Sequence, residues 1–227
     1  MVTGVAGSGD LILRVDGSRA LSAQSVAELA AVCDAAEDIG AHRFVIVRVS
    51  GVPGQQWAGD LSVALVSKWE RGLRRLERLP AVTIAVANAD CGGIALDALL
   101  ATDYRIMPAS AKLIVPVVAG ATWPGMALYR LARQAAGTVS ARKAGLFGTP
   151  IEAVAAKAMG VIDEVAEDLS VAIEKVMELA AAVEGTELAI RRQLMLEAPT
   201  TTFEDALGVH LAACDRSLRR PAAAVPE

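Results

Sequence analysis

Short β-branched apolar runs alternate along this chain with longer stretches in which apolar residues recur every three or four positions. The runs are "LILRV" (11–15), "FVIVRV" (44–49) and "VTIAVA" (82–87), with helical patterns between them. That alternation predicts parallel strands joined by helical crossovers. A first helix is expected from about Ser22, a capping residue, to Ile39, with Gly40 as its stop. A second begins near Leu61 in "LSVALVSKWERGLRRLERL", presents Leu65, Trp69, Leu73 and Leu76 on one face, and is ended by Pro80. Beyond Pro116 the pattern is mainly helical, through "GMALYRLARQAA", "SARKAGLF", "IEAVAAKAMG" and a long alanine-rich helix from about Leu169. Near the end, Thr201 and Glu204 have capping-box spacing, and Phe203, Leu207, Leu211, Cys214 and Leu218 line one helical stripe. Such a stripe is either a core face or an oligomer interface, and the spacing leaves both open.

The expected organisation is therefore α/β: a flexible segment at 1–9, a core domain over 10–168, a helical, oligomer-forming region over 169–220 and a flexible tail at 221–227. Composition narrows the class. At 227 residues and 54% hydrophobic, the chain has enough apolar content for one well-filled domain. A net charge of −4 and a pI near 5.3 argue against nucleic-acid binding, which needs a basic footprint. Three scattered cysteines (Cys33, Cys91, Cys214) and two histidines (His42, His210) form neither a disulfide framework nor a metal site. With no basic-then-apolar leader and no apolar run of membrane-spanning length, a cytoplasmic protein without a membrane segment is expected.

Candidate chemistry gathers in two Gly-rich segments that each follow a strand. In "NADCGG", read as a strand-to-helix loop, Gly93 and Ile94 fall at a helix N-terminus, where unpaired N–H groups and the dipole favour negative charge. In "GVPGQQWAGDL" (51–61), Gly59 or Asp60 offers a second N–H donor. Two donors facing one carbonyl oxygen would stabilise a thioester enolate, because charge builds on that oxygen in the transition state. Taken singly, each loop also reads as an ordinary tight connection. Asp97 is the one carboxylate on an otherwise apolar helix with Ile94, Leu96, Leu99 and Leu100, so desolvation should raise its proton affinity. Its roles are site lining with proton transfer, or a buried structural hydrogen bond. Arg71, Arg74, Arg75 and Arg78 form a basic stripe, read either as a solvated face paired locally with Glu70 and Glu77 or as a surface for CoA phosphates or an acidic partner. Neither histidine has a serine or cysteine motif nearby, which gives no support to a hydrolytic triad.

In order and spacing, "WAGDL", "NADCGGIALDALLATDYRI", "KLIVP" and "YRLARQAAGTVSARKAGLFGTPIEAVAAKAMGVIDEV" resemble the crotonase (enoyl-CoA hydratase/isomerase) superfamily from about Leu11 to Val165. "VALVSKWERGLRRLERLP", "DCGGIALDALLATDYRI" and "GATWPGMALYRL" are similar in detail to the crotonase-like accessory proteins of 3,5-dihydroxyphenylglycine biosynthesis. The resemblance implies a β-β-α spiral core, a helical C-terminal region, a homotrimer or hexamer, and an acyl-CoA or polyketide thioester as ligand with no further cofactor. At the finer level it implies service to a type III polyketide synthase, beside a second crotonase-family enzyme, in making 3,5-dihydroxyphenylacetyl-CoA from malonyl-CoA for glycopeptide antibiotics. Counting from Asp103, Asp97 takes the place of the first hydratase glutamate and Ile94 that of the second oxyanion glycine. Trp57, Trp123, Pro124, Gly125 and Val117 match positions that line the acyl pocket. Val117 also stands where the second glutamate belongs, so ordinary syn-addition of water lacks its acid/base partner. Two classes of function follow: a thioester dehydratase working through Asp97, or a degenerate crotonase that only binds and stimulates the synthase.

Overall fold

The computed structural model describes residues 10–38, 43–135 and 137–220. The expected helix stop at Gly40, His42 and both expected flexible ends lie outside these residues. In chain order the elements are β1 (Leu11–Asp16), α1 (Ala23–Glu37), β2 (Phe44–Gly51), α2 (Val63–Leu76), β3 (Val82–Gly92), α3 (Gly93–Leu100), β4 (Tyr104–Met107), β5 (Lys112–Ile114), β6 (Val117–Val118) and β7 (Ala121–Thr122). Then come α4 (Met126–Gln134), α5 (Val139–Phe147), β8 (Ile151–Glu152), α6 (Ala153–Ala158), β9 (Glu164–Val165), α7 (Leu169–Leu179), α8 (Gly185–Glu197) and α9 (Phe203–Arg219).

The three apolar runs form adjacent parallel strands, with Leu13 opposite Val47 and Val47 opposite Ala85. Side chains alternate between faces along a strand, so each run feeds two cores. Val45, Val47, Val49, Ala85 and Ala87 join Leu29 of α1, Trp69 and Leu73 of α2 and Leu96 of α3. Phe44, Ile46, Val82, Ile84 and Val86 join Ala172, Ile173 and Val176 of α7. A sheet covered on both faces explains why these strands are apolar throughout. The helix starts follow the sequence: the Ser22 hydroxyl accepts from the Ser25 N–H at 3.1 Å and that of Ser62 from the Leu65 N–H at 3.2 Å. No helix among the described residues is long and apolar enough to cross a membrane.

Several elements depart from the sequence reading. The segment Asn88–Gly92 is not a loop but the end of β3, which shifts register after Val49 and pairs Cys91 and Gly92 with Leu113 and Ile114 of β5. The region after Pro116 also contains β6, β7, β8 and β9, each of two residues, too short to carry an alternating pattern. The long helix expected from Leu169 is two helices. α7 stops at Leu179, Glu184 caps α8 by accepting from the Thr186 and Glu187 N–H groups, and Gly185 lies so close to Pro80 that a Cβ would stand 1.9 Å from its carbonyl oxygen. The last cap is Thr202, whose hydroxyl accepts from the Asp205 N–H at 3.2 Å, while the Thr201 hydroxyl donates back to the Glu197 carbonyl.

α8 is moored chiefly by Arg192, with Arg133 of α4 donating to the Leu196 carbonyl at 2.7 Å. Arg192 grips both oxygens of Asp103 at 2.6 Å and donates to the carbonyls of Glu77, Leu79 and Ala81. α9 then lies outward, tied to the start of α8 by Arg216 and Arg220 on Glu187. Its stripe meets no core: Phe203 is 75% exposed and Leu218 85%, with Leu207, Leu211 and Cys214 exposed between them.

Candidate active site

β3 passes into α3 with no loop between them, and the junction is built of close backbone contacts. Gly93 has φ +54°, and a Cβ there would meet the Pro53 ring at 2.6 Å. Gly17 is wedged so that a Cβ would lie 2.2 Å from the Gly92 carbonyl oxygen and 2.4 Å from that of Gly51. Only glycine fits such approaches, and at Gly93 the left-handed conformation adds to the demand. The Gly92 cap contributes no side-chain hydrogen bond to the first turn of α3, whose opening residues Gly93 and Ile94 border the adjoining pocket.

That pocket is small, with a volume of about 20 Å³. Gly93 and Ile94 line it at the helix start, and Asp97 lines it one turn further on. Asp97 accepts a hydrogen bond from the Ala127 N–H, in the first turn of α4, at 3.1 Å. Burial pushes its carboxyl up to about 7, and the negative charge of Glu70 adds to that rise. The Arg130 guanidinium, the Trp69 indole N–H and the Ala127 N–H act in the opposite direction without offsetting it.

Glu70 is the functional candidate that sequence reasoning placed wrongly. It was expected to pair with the arginine stripe, yet it turns inward, lines the same pocket and meets Arg130 at 3.0 Å. Burial also raises its carboxyl, against the pull of Arg130. Arg130 is 5% exposed and holds Glu77 as well, at 2.8 Å. A sequence signal did exist: Val66, four residues before Glu70, and Leu73, three after, put Glu70 on the flank of the buried face of α2.

The other expected site residues divide. Trp57, Trp123 and Gly125 line the pocket, the two indoles meeting edge to face at 5.3 Å and 83°. A Cβ at Gly125 would lie 2.4 Å from the Trp123 indole nitrogen, so a larger residue there would displace that ring from the pocket wall. Val117 does not line the pocket. It sits 48% exposed on the short β6–β7 hairpin, and Val115 and Pro116 take the wall instead. Pro124 is exposed and likewise outside the lining. Gly59 spends its N–H on the Gln56 carbonyl at 3.1 Å, closing a turn. Exposed Asp60 also lies outside the lining, so the first loop brings Trp57 to the pocket but neither Gly59 nor Asp60, the alternatives for its one expected N–H donor. The arginine stripe is split: Arg75 is bound to Asp34 and Glu37 of α1, Arg74 pairs with Glu77, and Arg71 and Arg78 face solvent. None of the four reaches the Asp97 pocket. Among the described residues no three His, Cys, Asp or Glu side chains converge as a metal site requires.

The architecture is shared with enoyl-CoA hydratases of known structure. That of Mycobacterium smegmatis superposes with a TM-score of 0.82 at 18% identity, covering 95% of this chain and 89% of that one. An enoyl-CoA hydratase/isomerase from Marinobacter aquaeolei gives 0.79 at 19%, covering 94% and 89%. The fold is thus the crotonase fold that the sequence pattern implied. The Enoyl-CoA hydratase/isomerase family model matches residues 18–219, and the chain belongs to that family. A protein from Amycolatopsis orientalis described as an enoyl-CoA-hydratase is 54% identical over 215 residues, 95% of this chain and 99% of that protein.

Proposed function

We propose that the protein holds an acyl-CoA thioester against the start of α3 and acts on it as a dehydratase through Asp97, assisting a type III polyketide synthase that makes 3,5-dihydroxyphenylacetyl-CoA from malonyl-CoA. Family membership supports the thioester ligand, and the motifs quoted above support the finer role and a second crotonase-family partner. The observation that carries the reading is a half-buried carboxylate, pushed up to about 7, that lines the same pocket as Gly93 and Ile94 one turn before it on the helix. A base there can take an α-proton while the amides stabilise the resulting enolate oxygen. The amide of Gly59, already committed to a turn, favours a second reading in which the chain only binds and stimulates the synthase.

Synthase output, measured with and without this protein and with Asp97→Asn, tests both. Stimulation that collapses in the variant supports dehydration. Stimulation that survives it supports the binding role, and unchanged output over a wide range of added wild-type protein overturns both. The exposed stripe of α9 supports a homotrimer or hexamer, since contiguous apolar surface of this kind marks an interaction face. Sedimentation velocity is expected to give three or six times the 23.5 kDa chain mass. A single species at the monomer mass at micromolar concentration would count against assembly.

A further inference from the structure

The pocket contains two unmatched donors, the indole N–H groups of Trp57 and Trp69. The Trp69 indole Nε1, on a side chain only 1% exposed, meets no acceptor in good hydrogen-bond geometry, and Asp97 lies only near enough for the indole to draw down the carboxyl's proton affinity. A buried N–H left without a partner costs free energy, on the order of 1–3 kcal/mol, so it calls for an occupant. The space beside it is about 20 Å³, which suits a single water, and a buried water needs two to four polar partners. The lining offers four: the Trp69 and Trp57 N–H groups as donors, with the carboxylates of Asp97 and Glu70 as acceptors for the water's two protons. Glu70 keeps 16% of its side chain accessible and is held in place by Arg130, which Glu77 grips from the other side.

We propose that Trp69, Asp97 and Glu70 hold one water between two carboxylates, so that Glu70, carried on α2, provides the second carboxylate that Val117 does not. The inference rests on the dehydratase reading for its chemical use. In that use Asp97 removes the α-proton of a β-hydroxyacyl thioester, breaking C–H and placing the electron pair on the thioester oxygen. The enolate collapses, the C–OH bond breaks, and Asp97 returns the same proton to the departing hydroxide. One water leaves, Asp97 is again ionised, and no other reactant is needed. The departing oxygen occupies the water position, where Glu70 orients it by accepting a hydrogen bond. Glu70 is thus a positioning residue, held by Arg130, whose charge opposes the rise that burial imposes on its carboxyl. The groups that bear electrostatically on Asp97 are Glu70 from α2 and Arg130 from α4, while the Cys91 thiol of β3, itself pushed up by burial and by the nearby carboxylates, stays neutral.

The test needs no substrate. In 15N-labelled protein the three tryptophans give three indole signals, and Trp69→Phe assigns one of them. In wild type, the Trp69 signal is expected to show an NOE to a long-lived water and to titrate with a midpoint near 7, the value to which Asp97 is pushed. Glu70→Gln removes the negative neighbour and leaves Arg130, so the midpoint should fall by roughly one pH unit. Glu70→Asp keeps the charge and should restore it, and Asp97→Asn should abolish the titration. No water NOE at Trp69 in the wild type overturns the proposal without any variant having to fold. A midpoint that is the same with Glu70→Gln, in a protein whose circular dichroism matches wild type, overturns it as well. Failure to stimulate a synthase would remove the dehydratase reading and leave these signals as they are.

Discussion

Replacing Asp97 with asparagine should slow α-proton exchange of a bound acyl-CoA by about 10²- to 10⁴-fold, the usual loss on deleting one positioned acid/base group. The same change should make the fold more stable at pH 8. Asparagine retains an oxygen for the Ala127 N–H and removes a charge that burial disfavours. The sign follows from linkage. The folded carboxyl is pushed up to about 7 from an ordinary 3.8, so between those values the folded state retains a proton that the unfolded chain has released. Stability from this group is therefore complete below 3.8, declines as pH rises through the window, and is gone above 7. The full cost is on the order of 4 kcal/mol, by the usual conversion of such a shift. Exchange followed by NMR in D2O, with melting curves at pH 4 and pH 8, checks both halves. A gain in Tm of equal size at the two pH values would show that the carboxyl does not titrate in this window.

Arg192→Met should be the most damaging single change outside the pocket. It leaves Asp103 with its Thr83 contacts but no cation, and it strips donors from the carbonyls of Glu77, Leu79 and Ala81. Breaking a largely buried pair from one side costs roughly 3–5 kcal/mol. At about 2–4 °C per kcal/mol for a chain of this size, the melting temperature should fall by on the order of 10 °C. Calorimetry reads this directly. A shift within about 2 °C would mean that α8 is held by its apolar contacts and not by this side chain.

What the sequence made legible was whatever repeats with a period. β1, β2, β3, α1 and α2 were visible because burial on two sheet faces and on one helix face imposes periods that residues such as Val45, Ile46, Trp69 and Leu73 display. The strands of two residues were not, because two residues define no period. The break between α7 and α8 was hidden because its cause, the approach of Gly185 to Pro80, joins positions far apart in the chain. At the site, the motif spacing placed Gly93, Ile94 and Asp97 together, and Trp57 and Trp123 against them. It failed for Gly59, whose amide is used by a local turn, and for Val117, which a hairpin carries away from the pocket. Glu70 was obscured by its neighbours: beside Arg71, Arg74 and Arg75 it looked like one charge among many on a wet face, and only its partnership with Arg130 brings it inside.

The cysteines give the α9 stripe a chemical character of its own. Cys33 and Cys91 are buried, the first thiol pushed up to about 12 by desolvation and the second raised as well, so neither offers a thiolate to a reagent in water. Cys214 alone is exposed, and it lies in the row formed by Phe203, Leu207, Leu211 and Leu218. Alkylation or disulfide formation would therefore be concentrated on Cys214, within this exposed apolar row, where oxidation would join two chains by the face that α9 leaves bare.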